Sequence, residues 1–537
     1  MLRRLFLAVE SHSGSSRSPG SASSSFGAVQ SKRHAASKPG AGLATSMQQH
    51  WRVKPSSDVP TPGWGLALPI IPSSTFKMMD AAHGARLHAK DRSPEADEDG
   101  YVYGRWGNPT THAVGRMLST AEGIDIEAEG SCTYVFSSGM AAITTTMLTL
   151  LTSGSHVVAQ RCVYGGTHEV LSGILPALGV EVTWVDGSSI EQWSAAVRPN
   201  TRLLYAETPA NPSMRLTDLE ALGALCLQVN LSRPAPERLA VAVDGTFGTP
   251  FHQQALSYPG VDISIHSCTK YLGGHSDVVA GCVTTRDEGL LKRLGHFQKL
   301  LGNSLGPWEA YLLGRGMKSF VPRMRTHSAN AQQIAEFLEA HPNVTAVHYP
   351  GLKSHPDHEL AKKMLRNGFS GMISFELPSY AKAAQVCERV KCIHLAVSLG
   401  ATESLIQHPA SMTHAMVPEE ERAAAGIPGG LVDSKATTTA ATTTTTTNQH
   451  KKTTTTTTTV QQQCFFFVVC GNLVPGGLVR LSVGTFVWPN HVIQITNYNK
   501  QQPNNNNSNK TTSKSQQTVI WNASRLAQRR PVISSPT

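Results

Sequence analysis

The chain has 537 residues, which at roughly 150 per domain allows two to four domains and a large core. No run of about 18 uncharged apolar residues occurs, so no membrane-spanning helix is expected. Nine cysteines without a CxxC pair argue against a disulfide framework or a structural zinc site, and a reducing compartment is the default. The net charge of +10 sits at the two ends. Residues 1–45 hold six Lys/Arg and one acid, residues 433–537 ten and one, while 46–432 holds thirty-one bases and thirty-five acids. The mildly acidic middle offers no nucleic-acid footprint.

Residues 1–45 are Arg- and Ser-rich and poor in acids, with Leu5-Phe6-Leu7-Ala8-Val9 following the first arginines. This composition suits a mitochondrial or plastid transit peptide, with a disordered tail as the alternative, and the expected location is cytoplasmic or mitochondrial. From about Trp64 to Val432 the chain reads as globular. Tyr134-Val135-Phe136 predicts a strand, followed by Ser137-Ser138-Gly139-Met140 and a helical segment through Leu151. Arg202 to Ala206, Leu239 to Val243 and Asp262 to His266 predict further strands, spaced by helical stretches. Strands alternating with helices imply βαβ units and a mostly parallel sheet, hence an α/β fold. Each run ends in polar residues: Glu207, Asp244, and Ser267 to Lys270. Ligands of such sheets bind beyond the carboxyl ends of the strands.

A smaller α/β domain is expected from residue 308. Gln332 to Glu339 predicts an amphipathic helix, Asn343 to Tyr349 and Met372 to Glu376 strands, and Ala381 to Val390 another helix. Residues 433–474 then break the pattern with two Thr runs and Gln461-Gln462-Gln463, and 485–537 read as a disordered polar tail. From Ser434 to Thr537 no Asp or Glu occurs. Pro428-Gly429-Gly430-Leu431-Val432 recurs as Pro475-Gly476-Gly477-Leu478-Val479. The 433–474 segment therefore reads as a low-complexity insert in one element, and the small domain as 308–432 plus 475–484.

The segment richest in chemistry runs Ser264-Ile265-His266-Ser267-Cys268-Thr269-Lys270-Tyr271-Leu272-Gly273-Gly274. A lysine after a buried strand can form a Schiff base with an aldehyde, and the hydroxyls of Ser267 and Thr269 can donate to a phosphate. Asp244 ends the preceding strand, where a carboxylate could hold a pyridinium nitrogen protonated or simply cap a helix. Ser138-Gly139-Met140 joins a strand to a helix, so its N–H groups can face an anion. Tyr103 and Arg105 offer phosphate donors, and Tyr164 a ring that stacks on a planar ligand. His358-Glu359 starts an HExxH-like string, but Lys362 stands in place of the second His, and no metal site is expected.

Taken together, these segments resemble the fold type I pyridoxal-phosphate enzymes of cysteine and methionine metabolism, from about Leu68 to Val432 and again from Gly476 to Gly484. The resemblance implies a seven-stranded, mostly parallel sheet in a large cofactor-binding domain (46–307, with an N-terminal arm). It implies pyridoxal 5'-phosphate on Lys270, Asp244 at the pyridine nitrogen and Tyr164 stacked on the ring. Ser138, Gly139, Met140, Ser267 and Thr269 would hold the phosphate, and Asn211 would lie near the cofactor hydroxyl. Tyr103 and Arg105 would reach a neighbouring subunit's phosphate, implying a dimer within a homotetramer. Ser398 and Arg480 would hold the substrate carboxylate. Lys270, Tyr164 and Asp244 are the implied catalytic residues.

The segments Glu207 to Leu216, Val397 to Gly400 and Leu405 to His414 are similar to methionine γ-lyases, which implies α,γ-elimination of L-methionine to 2-oxobutanoate, methanethiol and ammonia. A cystathionine γ-lyase or γ-synthase is the alternative. Neutral Val397 stands where those enzymes tend to carry Glu, whereas Gly166 stands where bacterial methionine γ-lyases often carry Cys. Gly245 departs from the family's usual Asn. A third reading is an inactive relative, because the insert separates Arg480 from the rest of its domain. Neither a nucleic acid nor a membrane is an expected partner.

Overall fold

Strands buried on both faces need apolar side chains at consecutive positions, and the runs read from the sequence are of this kind. The computed structural model describes residues 42–49, 67–89, 100–415, 417–424, 426–428 and 431–435, with short strands at 448–449, 452–453, 481–482, 494–495 and 517–518. Its larger sheet contains β1 (Thr133–Phe136), β2 (His156–Gln160), β3 (Glu181–Val185), β4 (Thr201–Glu207), β5 (Ala240–Asp244), β6 (Ile263–His266) and β7 (Gly281–Thr284). The order is β1-β7-β6-β5-β4-β2-β3, parallel from β6 through β3, with β7 antiparallel to both its neighbours. Leu203 and Tyr205 of β4 face one apolar core, Leu204 and Ala206 the other. The expected seven-stranded, mostly parallel α/β sheet is present. Strands β2, β3 and β7 were not picked out in the sequence.

Helices flank the sheet and begin where capping residues predict. Asn108 accepts from the Thr110 amide ahead of α1 (Pro109–Ala121), and Ser138 accepts from the Ala141 amide ahead of α2 (Gly139–Leu150). Asp218 caps α3 (Leu219–Asn230) and Asp287 caps α4 (Glu288–Leu301). A short helix at Leu43–Gln49 places Met47 in the core, so helical structure begins three residues ahead of the boundary expected at 46.

The second sheet comprises β8 (Ala346–His348), β9 (Met372–Glu376), β10 (His394–Leu395), β11 (Leu405–Gln407), β12 (Leu431–Lys435) and β13 (Leu481–Ser482), in the order β10-β11-β12-β13-β9-β8. Two helices, α5 (Phe320–Glu339) and α6 (Tyr380–Arg389), share its core through Ile334, Leu338 and Val386. Helix α5 starts twelve residues earlier than its amphipathic stripe suggested. Buried Arg323 and His327 interrupt the apolar pattern there.

The edge of β9 carries an unusual register. Leu431, Val432, Asp433 and Ser434 pair with Glu376, Phe375, Ser374 and Ile373, and Leu481 and Ser482 pair with Ile373 and Met372. Ser434 and Leu481 thus share one partner, and they are 47 positions apart, the offset of the sequence repeat. Residues 1–41, Arg480 and most of 436–537 lie outside the described residues. Among the described residues no helix is long and apolar enough to cross a membrane, and no cluster of His, Cys, Asp and Glu could hold a metal ion.

Candidate active site

The carboxyl ends of β4, β5 and β6 bring Glu207, Asp244 and the Ser267–Lys270 turn side by side. Asp244 is buried and directly across the ladder from Glu207. Its Oδ1 accepts from the Thr246 amide at 3.0 Å and the Thr246 hydroxyl at 2.6 Å, and the Tyr205 hydroxyl stands 3.5 Å from Oδ2. Burial pushes the Asp244 carboxyl above the usual carboxylate range, against the pull of Thr246 and His266. Glu207 is raised further, by burial and then by the charge of Asp244. Two neighbouring carboxylates repel, so a cation placed between or above them is favoured.

Glu207 also orders the site. Its Oε2 accepts from the Tyr164 amide and its Oε1 from the Asn211 amide, both at 2.9 Å. The sequence marked Glu207 as a strand-end acid but gave it no role. Asn211 is buried and its Oδ1 has no hydrogen-bond partner among the described residues. Tyr164 is 40% exposed, and its phenol is raised by burial, then by Glu169 and Glu207. A Cβ on Gly166 would come within 2.8 Å of the Tyr164 ring and 3.1 Å of the Met140 sulfur, so this glycine underlies both.

The helix α2 N-terminus faces the Lys270 turn. A Cβ on Gly139 would lie 2.7 Å from Ser267 Cβ, so only glycine lets the Ser267 hydroxyl approach the amides there. Thr246 links this cradle to the acid: its hydroxyl donates to Asp244 and accepts from the Ser267 amide at 2.9 Å. Thr269 bonds both the carbonyl and the amide of Ala280 through its hydroxyl, at 3.1 and 3.0 Å. Thr246 went unremarked in the sequence because its role depends on its reach to Ser267 across β5 and β6.

Lys270 donates from Nζ to Ser398 Oγ at 2.8 Å. Ser398 adopts φ +83°, a left-handed conformation unusual for a residue with a side chain. Gly400 also has φ +83°, and a Cβ there would lie 2.3 Å from the Tyr271 amide, so this loop sits directly on the Lys270–Tyr271 backbone. Beneath it, buried Arg323 donates to the carbonyls of Tyr271, Leu272 and Gly316, and burial lowers its guanidinium to about 10.

Tyr103 and Arg105 are placed elsewhere. The Arg105 guanidinium lies 5.6 Å from the Tyr103 ring centre and donates to the Lys299 carbonyl at the end of α4. Arg480 is outside the described residues. Burial pushes the Cys162 thiol up to about 11 and Cys226 and Cys387 up to about 12, so none of these three is a thiolate nucleophile at neutral pH.

A planar, anionic ligand bearing an aldehyde fits this arrangement: a lysine, a glycine cradle at a helix N-terminus, an unpartnered buried Asn211 oxygen and a buried acid pair. The fold and site define a pyridoxal-phosphate-dependent enzyme. Residues 61–434 match the family described as Cys/Met metabolism PLP-dependent enzyme, and the chain belongs to that family. It is 45% identical to an L-methionine gamma-lyase of Fusobacterium nucleatum over 370 residues, 68% of this chain and 88% of the relative. A cystathionine gamma-lyase of Bacillus subtilis is 44% identical over 342 residues, 64% of this chain and 86% of its own. The solved cystathionine gamma-lyase from Lactobacillus plantarum, complexed with L-serine, is 34% identical with a TM-score of 0.64, covering 73% of this chain and 94% of that one.

Proposed function

We propose that the chain is a carbon–sulfur lyase that eliminates methanethiol from L-methionine, with Lys270, Asp244 and Tyr164 as its catalytic residues. The observation that carries the substrate choice is Val397, an apolar side chain 53% exposed beside Ser398, whose hydroxyl accepts from Lys270. A neutral neighbour suits a thioether methyl better than the charged far end of cystathionine.

Pyridoxal phosphate, when bound, supplies the electron sink for the carbon that loses its proton. Lys270 would hold the cofactor aldehyde, and its Nζ would take the substrate's α-proton. Asp244 would pair with the pyridine nitrogen and keep it protonated. Gly139, Met140, Ser138, Ser267 and Thr269 would hold the phosphate, and Asn211 would lie near the ring hydroxyl. Tyr164 would stack on the ring, and its raised phenol would serve the departing sulfur as an acid. Ser398 and Arg480 hold the substrate carboxylate. Tyr103 and Arg105 serve a neighbouring subunit's phosphate, so the working unit is a dimer, paired into a tetramer. The reach of Arg105 to the end of α4 and the exposure of Tyr103 support this assignment.

We further propose that residues 433–474 interrupt the small domain. Asp433, which pairs with Ser374, stands 47 positions before Arg480, the offset of the repeat. The test of the substrate reading is a visible spectrum of the cofactor-loaded chain titrated with L-methionine and with cystathionine. A shift and 2-oxobutanoate formation favouring methionine is expected. Preference for cystathionine would move the assignment to transsulfuration, and indifference to both would mean that the chain is inactive.

A further inference from the structure

Behind the site, two buried ionisable groups lie outside the roles assigned above. Glu122 follows the last turn of α1 and His266 ends β6, each with 2% of its surface exposed. His266 Nε2 lies 2.5 Å from Glu122 Oε1. The Ser264 hydroxyl donates to the same oxygen at 3.1 Å and stands 3.2 Å from His266 Nε2. Glu122 Oε2 and His266 Nδ1 have no hydrogen-bond partner among the described residues, and His266 is the only basic group among them in ion-pair range of Glu122. Carboxylates buried this deeply are found paired, because the desolvation cost is otherwise too large.

The His266 ring also meets the turn that follows Asp244. A Cβ on Gly245 would come within 2.8 Å of His266 Cε1, so the ring packs on the turn that follows Asp244. The Gly245 amide donates to Ile265 O at 2.9 Å, which ties that turn to β6. The residue after His266 is Ser267, whose amide reaches Asp244 through the Thr246 hydroxyl. The ring therefore contacts Glu122 and the turn that carries Asp244, and the next residue begins the Lys270 turn.

We propose that Glu122 and His266 are a positioning pair: Glu122 fixes the His266 ring, and His266 holds the Asp244–Gly245 turn behind the Asp244 carboxylate. Burial pushes the Asp244 carboxyl up, and His266 is among the groups that draw it down. The inference rests on Asp244 facing the pyridine nitrogen.

The test compares Glu122→Gln, Glu122→Asp, His266→Gln and the double variant, loaded with pyridoxal phosphate. Each is measured for its visible absorption band, kcat, KM for L-methionine, cofactor dissociation constant and unfolding temperature. Glu122→Gln and His266→Gln are expected to lower kcat about tenfold with KM within twofold, the scale seen when groups behind a ligand are removed. Both are expected to move intensity out of the visible band. The double variant should be no worse than either single one, because one unit has been broken. Glu122→Asp should recover part of the band. Unchanged spectra and kcat in both single variants would overturn the proposal, as would losses that track the unfolding temperature alone. Asp244→Asn separates the two levels. If it leaves the band unchanged, the reading of the site fails; if it alters the band while the Glu122 and His266 variants do not, only the positioning pair fails.

Discussion

Tyr164 and His252 are each held away from their ordinary titration by burial, with opposite consequences. The Tyr164 phenol is raised, so it carries its proton throughout the neutral range. Tyr164→Phe is expected to keep the cofactor band and lose about 10²–10⁴ in kcat, the usual contribution of a positioned acid; stopped-flow release of methanethiol measures it. His252 is fully buried, with Nδ1 2.8 Å from the Arg366 carbonyl, so the neutral ring donates there. Burial lowers it to about 4 from 6.5. The unfolded chain therefore binds a proton that the folded one refuses. The stability it contributes is complete above pH 6.5 and is lost as the pH falls towards 4, by up to roughly 3 kcal/mol. Urea midpoints between pH 7 and 4.5 should fall less steeply in His252→Gln than in the parent chain.

At the scale of the element, β12 is poorly suited to its slot. Ser434 is fully buried and its hydroxyl has no partner among the described residues. Ser434→Ala is expected to stabilise the chain by about 1 kcal/mol, since an unsatisfied buried hydroxyl costs that much or more; thermal unfolding checks it. The same element shows what the sequence discloses. The repeat at 428 and 475 was legible as five matching letters, but which copy fits β9 depends on burial on the far side of the sheet. Lys270 and Asp244 were legible because each ends an apolar run, and a run's end is a local signal. Glu122 and His266 were not, being 144 positions apart and meeting only through the crossing of α1 and β6. Helix α5 was read short because Arg323 and His327 are buried by partners that the sequence does not name.

For the whole molecule, the decisive comparison is the full chain against one in which Val432 is joined directly to Arg480. The joined chain would put Leu481 opposite Ile373 and Ser482 opposite Met372 within one unbroken strand, the pairings these residues already make. It is expected to unfold at a higher temperature and to have a KM for L-methionine at least tenfold lower than the full chain, because a bidentate arginine–carboxylate contact would replace an aspartate at that register. Equal KM values in the two chains would show that the interrupting segment leaves the substrate carboxylate site intact.

The shared partner of Ser434 and Leu481 also bears on how the chain is made. During synthesis, residues 431–435 leave the ribosome 47 residues ahead of 478–482, a lead of roughly 2–10 s at about 5–20 residues per second. That interval is long compared with the microseconds to milliseconds in which strands pair. The earlier copy therefore reaches β9 without competition, and Leu481 and Ser482 pair beside a strand already seated. Newly made protein should accordingly pass through a species in which only the earlier copy is paired, and the time spent in it should depend on the speed of translation past residue 435.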